Sequence, residues 1–560
     1  DARRIARDLG RDRDPFGSIR GYERMAFYSR LDGSPQEYEL FVPPGYRPTS
    51  TREWPLLVTL HGFQGNAGDY FRNTFGLPRD HESDESLDAH GRHGAAPTQG
   101  PMIVIAPTGR GQSFYRHAGE VDIFEAMDDV RRRFHVARDR IYITGGSMGG
   151  TGAAYVPYRN PDVFAAAAAL AGYHDQRVRA DTNHRGLSAA ERFLEAERSD
   201  VDWAENGLHL PMLLVRGSDD RPVEWTRCLV RRLEELHYTV EHREPDSGHN
   251  VWTETYAEGA IFRWLGRYRR PSHPEHVHLR TARESTLESF WVRIEQREAP
   301  DRFANVDATI VDSVISAAIE GARAVTFSPE PPLVEPGATV RVRVGETELT
   351  STVPMTIERH DNGWRLATQR WPEPGTRRAG ASGPIRDVFH EPLTFVIGTQ
   401  SPAHTLINQL VADHWAHPHG WIVDYPIVDD VDVTEEMMAQ TTLVLVGPPS
   451  SNAVLGRFAD RLPIRIDGDA VHVGDQTHRG EQVGAVFVAP NPEHPDRAVL
   501  VIAGPHPLGT WRSTDLPDIL PDYVVYDERI AGAHDQWACG GTEGCAYLAH
   551  GLFDMTMRLP

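Results

Sequence analysis

The sequence predicts an α/β chain in three parts. A mostly parallel sheet covered by helices spans about residues 20–270, a small antiparallel β domain spans 275–385, and a second open-sheet α/β domain spans 386–560. Three observations carry this. Up to about residue 270, short unbroken apolar runs alternate with amphipathic helical stretches, the pattern of strands buried on both faces. After Arg269-Arg270-Pro271-Ser272-His273-Pro274 the period changes to two, the pattern of half-buried antiparallel strands. From Leu393 the first pattern returns.

Residues 1–19 are charged and irregular, with Asp-Arg repeats and then Pro15 and Gly17, and read as a terminal arm. A strand-like Tyr38–Val42 runs into the turn Pro43-Pro44-Gly45. Four buried runs follow, each ending in a glycine turn: Leu56–Leu60 at His61-Gly62, Met102–Ala106 at Pro107-Thr108-Gly109, Ile141–Ile143 at Thr144-Gly145-Gly146, and Val163–Leu170 at Ala171-Gly172. A fifth, Met212–Val215, ends at Arg216-Gly217. Val121, Phe124, Met127, Val130 and Phe134 recur every three or four residues, the clearest helical stripe between them. The polar stretch from His81 to Gly100 reads as a solvated insertion. In the β segment, Phe290–Ile294 and Val340–Val344 alternate, and Arg377–Gly383 reads as a linker. In the last part, Leu393–Ile397, Thr442–Val446 and Ala498–Ile502 are strands ending in glycine turns, with helices near 403–415 and 452–461.

Composition narrows the function. At roughly 100–200 residues per domain, 560 residues make three to four domains. The hydrophobic share of 40% is enough for sizeable cores. The chain carries 80 acidic residues against 58 basic ones, a net charge of −22, which argues against a nucleic-acid partner. Every basic residue is arginine. Without lysine there is no Schiff base, no pyridoxal-phosphate anchor, no P-loop or kinase lysine and no Ser–Lys dyad. An arginine-favouring genome and adaptation to high salt both explain that composition. Three cysteines, Cys228, Cys539 and Cys545, exclude a disulfide-framed fold. Cys539 and Cys545 flank Gly-Gly-Thr-Glu-Gly, a loop short and flexible enough to close a bridge or to stay open. No apolar run reaches the ~18 residues of a membrane span. A chain beginning at Asp1 rather than Met fits a removed leader, and so a secreted or periplasmic location over a cytoplasmic one.

The chemistry concentrates at Gly145-Gly146-Ser147-Met148-Gly149, a G-x-S-x-G directly after a strand and before a helix. That context forces a serine onto a tight turn, with small residues on either side. A serine needs a base, and the base needs an orienting carboxylate. Gly217-Ser218-Asp219-Asp220 follows a buried strand and supplies the acid, Asp220 ahead of Asp219 as the turn-capping residue. Asp246-Ser247-Gly248-His249-Asn250 follows the next strand and supplies the base, ahead of His237 and His242, which fall in or beside regular elements. The oxyanion donors are the backbone N–H of Met148 and one from His61-Gly62-Phe63-Gln64-Gly65, with Phe63 favoured over Gln64. Gln64, Tyr115 and Trp252 are candidate substrate-binding residues.

Together these motifs resemble the α/β-hydrolase family, most closely its polyhydroxybutyrate-depolymerase-like and feruloyl-esterase-like branch, with prolyl-oligopeptidase-like hydrolases nearby. The likeness is carried by Tyr38-Glu-Leu-Phe-Val-Pro-Pro-Gly-Tyr46, Leu60-His-Gly-Phe-Gln-Gly-Asn66, Glu120-Val-Asp-Ile-Phe124, Gly145-Gly-Ser-Met-Gly-Gly150 and Gly248-His-Asn-Val-Trp252. One departure is Gly146, where that branch commonly has histidine. The resemblance implies an α/β-hydrolase catalytic domain over 20–270 that hydrolyses small or polymeric carboxylic esters through an acyl-enzyme, without cofactor or metal. A serine peptidase of the prolyl-oligopeptidase kind and a non-catalytic scaffold retaining the fold are the alternatives. The histidine groups His273, His276, His278 and His414, His417, His419 lie in proline-containing loops and read as non-ligating. The β-rich and second α/β segments read as architectural.

Overall fold

A computed structural model describes residues 7, 10–11, 15–17, 19–75, 101–179, 184, 186–361 and 363–560. The expected insertion at 81–100 and most of the terminal arm lie outside the described residues. The chain divides into two compact units: 1–29, 35–174 and 206–272 in the first, and 30–34, 175–205 and 273–560 in the second.

The first unit is built on an eight-stranded sheet in the order β1-β2-β4-β3-β5-β6-β7-β8. Its strands are β1 (Gly21–Tyr28), β2 (Pro35–Val42), β3 (Trp54–Leu60), β4 (Ile103–Pro107), β5 (Val136–Gly146), β6 (Ala166–Leu170), β7 (Met212–Val215) and β8 (Val240–Arg243). β1 and β2 are antiparallel, and β2 pairs antiparallel with β4. From β4 through β8 every pairing is parallel. Buried parallel strands need no polar face, which is why β3, β4, β6 and β7 are buried along their whole length. The helices α1 (Ala67–Phe75), α2 (Ala118–Arg133), α3 (Met148–Arg159) and α4 (Glu224–Glu235) connect them. One core packs Leu57, Val104, Tyr142 and Leu213 of the sheet against Phe71, Phe75, Phe262 and Leu265. This is the α/β-hydrolase fold.

In the second unit, strands between His276 and Leu366 form two five-stranded sheets around a core of Val277, Val292, Ile294, Val325, Val340 and Ile357. They are not wholly antiparallel as the alternation suggested. Val314–Glu320 runs parallel to Thr339–Val344, with Ile315 opposite Val342. A period of two fixes which face is buried and is silent on strand direction. Beyond it, a seven-stranded sheet joins four parallel strands, Ile427–Asp429, Leu393–Ile397, Thr442–Val446 and Ala498–Ala503, to the antiparallel Gly484–Pro490, Tyr523–Tyr526 and Ala549–Gly551. Cys539 and Cys545 form a disulfide, and Cys228 is buried outside that bridge.

Residues 175–205, which the sequence reading placed inside the 20–270 segment, group with the second unit. There the helix Ala189–Arg198, begun by a capping box of Ser188 and Glu191, ties into that unit: Glu191 accepts from the Gly540 N–H, and Arg198 pairs with Asp518.

Candidate active site

The proposed nucleophile sits where β5 turns into α3. Ser147 has φ 59° and ψ −117°, a left-handed conformation that side chains adopt only under constraint. The constraint is dense packing. A Cβ on Gly149 would stand 2.1 Å from the Leu60 carbonyl oxygen, and one on Gly150 2.2 Å from that of Leu170. Only glycines let α3 lie this close to β3 and β6. The Ser147 N–H donates to the Leu170 carbonyl at 2.8 Å, locking the turn to the neighbouring strand. Met148 opens α3, so its N–H has no acceptor one turn back within the helix.

The loop after β3 abuts the serine: a Cβ on Gly62 would lie 3.4 Å from Ser147 Cβ and 3.9 Å from its Oγ. Gly62 to Gly65 closes a tight turn at 3.0 Å. The Gln64 N–H donates to Gln112 Oε1 at 2.7 Å and is engaged there, which leaves Phe63, 54% exposed, as the donor candidate in this turn. His61 is buried, its ring nitrogens against the Gly62 and Thr108 carbonyls, each at 2.9 Å.

Tyr115 requires a correction. Expected to line a pocket, it is fully buried, its ring pressed onto Gly109 and Gly152 and its hydroxyl donating to the His61 carbonyl at 3.1 Å. It braces the loop that carries Phe63. It belongs to a segment in which Arg110, Phe114, Tyr115 and His117 all have positive φ. Beneath that segment lies Asp122, accepting from the Gly109 N–H at 2.8 Å, with Arg110 at 3.7 Å. Burial raises the Asp122 carboxyl to about 6, against the opposing pull of Arg110 and the Gly109 N–H.

Asp220 and His249 meet across two loops. His249 Nδ1 lies 2.9 Å from Asp220 Oδ2. The loops are joined by backbone bonds, Ser218 N–H to Pro245 at 2.9 Å and Asp219 N–H to Ser247 at 3.0 Å. Asp219 is exposed and makes no such contact with the histidine, while the Asp220 side chain is 14% exposed. The His249 side chain is half exposed. Its ring packs edge-on against Trp252 at 5.6 Å, and Trp252 in turn lies against the backbone of Gly146.

Sequence reasoning missed a row of rings. Phe63, Phe114, Tyr173 and Trp225 follow one another at centroid separations of 5.9, 6.0 and 6.2 Å. Phe63, Phe114 and Tyr173 come from the loops after β3, β4 and β6, and Trp225 from the first turn of α4 beyond β7, toward the carboxyl ends of the strands where this sheet type holds ligands. An aromatic residue shortly after each strand end was the available signal.

Residues 107–268 match the prolyl oligopeptidase family model. The chain is similar to a bifunctional acetylxylan esterase/xylanase of Neocallimastix patriciarum, 26% identical over 157 residues, which is 25% of this chain and 20% of that protein. It therefore spans about a fifth of that relative's length. Among solved structures it is similar to a thermostable esterase, with 24% identity, a TM-score of 0.32 and coverage of 44% of this chain and 63% of the other. It is also similar to a ferulic acid esterase, with 16% identity, a TM-score of 0.34 and coverage of 44% and 97%.

Proposed function

We propose that this chain is a serine hydrolase that cleaves carboxylic esters through an acyl-enzyme, with Ser147 as nucleophile, His249 as base and Asp220 as the orienting acid. The observation that carries the reading is the 2.9 Å approach of Asp220 Oδ2 to His249 Nδ1, on loops that follow the nucleophile in the order serine, acid, histidine. Asp220 fixes the tautomer that leaves Nε2 free to accept the serine proton. The Ser147 oxygen then attacks the ester carbonyl. The N–H groups of Met148 and Phe63 take the negative charge that develops on the carbonyl oxygen. His249 returns the proton to the leaving alcohol, and a water activated by the same imidazole releases the acid. Residues 275–385 and 386–560 contribute none of these groups and are proposed to be non-catalytic.

The matched relative is named an acetylxylan esterase, which favours small acyl groups on a polymeric alcohol as the first substrates to try. The family model over 107–268 favours the peptidase as second reading. A panel of nitrophenyl esters, acetyl and feruloyl sugar esters, polyesters and peptidyl amides separates the two, run beside a serine-directed phosphonate. Ester turnover and labelling are expected in the intact chain and absent in Ser147→Ala. Turnover of amides alone would replace the ester reading, and activity near wild type in Ser147→Ala would overturn the triad.

A further inference from the structure

Arg216 is the residue immediately after β7, and it is 1% exposed. A buried arginine needs partners for a rigid fork of five N–H groups. Here they come from three directions. Nε donates to the Asp220 backbone carbonyl at 2.9 Å. Nη1 donates to the Gly172 carbonyl beyond β6 at 2.7 Å, and to Thr226 Oγ1 in α4 at 3.3 Å. Nη2 stands 3.1 Å from Asp220 Oδ2, the same oxygen that faces His249. The guanidinium also lies over the Trp225 ring, 5.2 Å from its centroid.

We infer that Arg216 is a positioning residue for the triad proposed above, holding the Asp220 carboxylate in the orientation that meets His249 Nδ1. The inference rests on that reading of Asp220 and His249. Two features separate it from a simple structural tie. Nη2 is close to Oδ2 but off the line of a hydrogen bond, so it attracts the carboxylate while leaving the oxygen's lone pair to the imidazole N–H. And the guanidinium meets the acid twice, by a hydrogen bond to its main-chain oxygen and by charge attraction to its carboxylate, so it acts on both the loop and the side chain. Anchoring to Gly172 and Thr226 then registers the acid against β6, the strand beside the nucleophile's own. The burial that depresses the Arg216 pKa is offset first by Asp220, as expected for a charge kept inside by its partner.

The test uses the full chain, with nitrophenyl acetate turnover and phosphonate labelling at Ser147. Arg216→Met is expected to lower kcat on the order of a hundredfold, the effect of an ångström-scale misplacement, with KM within about threefold. Arg216→Lys keeps the charge without the fork and is expected to recover less than about a tenth of the lost rate. In an Asp220→Asn background, Arg216→Met is expected to change kcat by less than about threefold, because the residue it acts through is already disabled. Multiplicative losses in the double variant, a loss carried by KM, or wild-type kcat in Arg216→Met would each overturn the inference. So would failure of both single variants to fold, which would make Arg216 a structural tie. Absence of labelling in the unaltered chain would instead sink the proposed function, so the two failures are distinguishable.

Discussion

Trp252 occupies the space that any side chain at position 146 would need. A Cβ built on Gly146 would lie 2.8 Å from Trp252 Cε3 and 2.9 Å from the Tyr70 hydroxyl. The glycine before the nucleophile, which departs from the histidine common in the resembling branch, is thus complementary to a tryptophan one turn beyond His249. The indole touches the serine's neighbour on one side and the base's ring on the other.

Gly146→Ala should destabilise the chain by about 1–3 kcal/mol through overpacking, and should slow phosphonate labelling at Ser147. Adding Trp252→Leu should restore part of the labelling rate. Thermal melts and labelling kinetics read both effects. An alanine tolerated without change in either would mean that Trp252 and Tyr70 yield freely.

Asp220→Asn should lower kcat on the order of 10⁴-fold by leaving His249 in the wrong tautomer. Asp219→Asn, at an exposed neighbour, should stay within about threefold, since surface substitutions rarely matter. Steady-state kinetics on one ester decide it, and the reverse ranking would move the acid back by one residue.

Tyr115→Phe leaves the buried His61 carbonyl without its phenol donor. The expected loss is about 1–3 kcal/mol of stability, together with a fall in kcat as the Phe63 loop loosens. Gln112→Ala, which frees the Gln64 N–H, should disturb the same turn more mildly. A Tyr115→Phe variant that lost stability but kept kcat would separate the brace from the oxyanion site.

Asp122 gives a pH dependence with a definite sign. Its folded value, about 6, lies above the ordinary aspartate value of 3.8. The fold therefore favours the protonated carboxyl. That contribution is complete below about pH 4 and is lost as pH rises through about 6, with an upper bound of about 3 kcal/mol. Asp122→Asn stays neutral throughout. Melting temperatures taken from pH 4 to 7 should shift in the variant's favour relative to wild type as pH rises. A constant offset across that range would assign the variant's effect to lost Arg110 pairing alone.

A net charge of −22 repels itself at low ionic strength, and screening shortens to about 3 Å at 1 M salt. The melting temperature should rise between low and molar sodium chloride. A flat or falling curve would leave the lysine-free composition to codon usage.

What was legible in the sequence was whatever a short window encodes. Apolar runs closed by glycines gave the parallel strands, and the order of Ser147, Asp220 and His249 pointed to loops that the fold brings together. Tyr115 was misread because an aromatic beside a glycine turn looks the same whether it faces solvent or core. Its burial follows from a run of positive φ between Arg110 and His117 that no periodicity announces. The fork of Arg216 was invisible for a related reason: its partners lie 4, 10 and 44 positions away and are brought together only by the sheet. The helix Ala189–Arg198 went unread although Ser188 and Glu191 carry its capping box, and such a box in any case names a helix and not the neighbour it packs on.

The four rings Phe63, Phe114, Tyr173 and Trp225 are supplied by three separate loops and the first turn of α4, while Ser147 is held by the strand and helix of the scaffold itself. The ring row and the elbow are thereby inherited on different parts of the chain. Drift at Phe114 or Tyr173 can alter that row one contact at a time without touching the elbow. A change at Gly149 or Gly150 has no such latitude, because there a single methyl group meets main chain. In a protein built this way the segments that carry the rings have room to vary, and the tight turn at Ser147 is the part descendants keep.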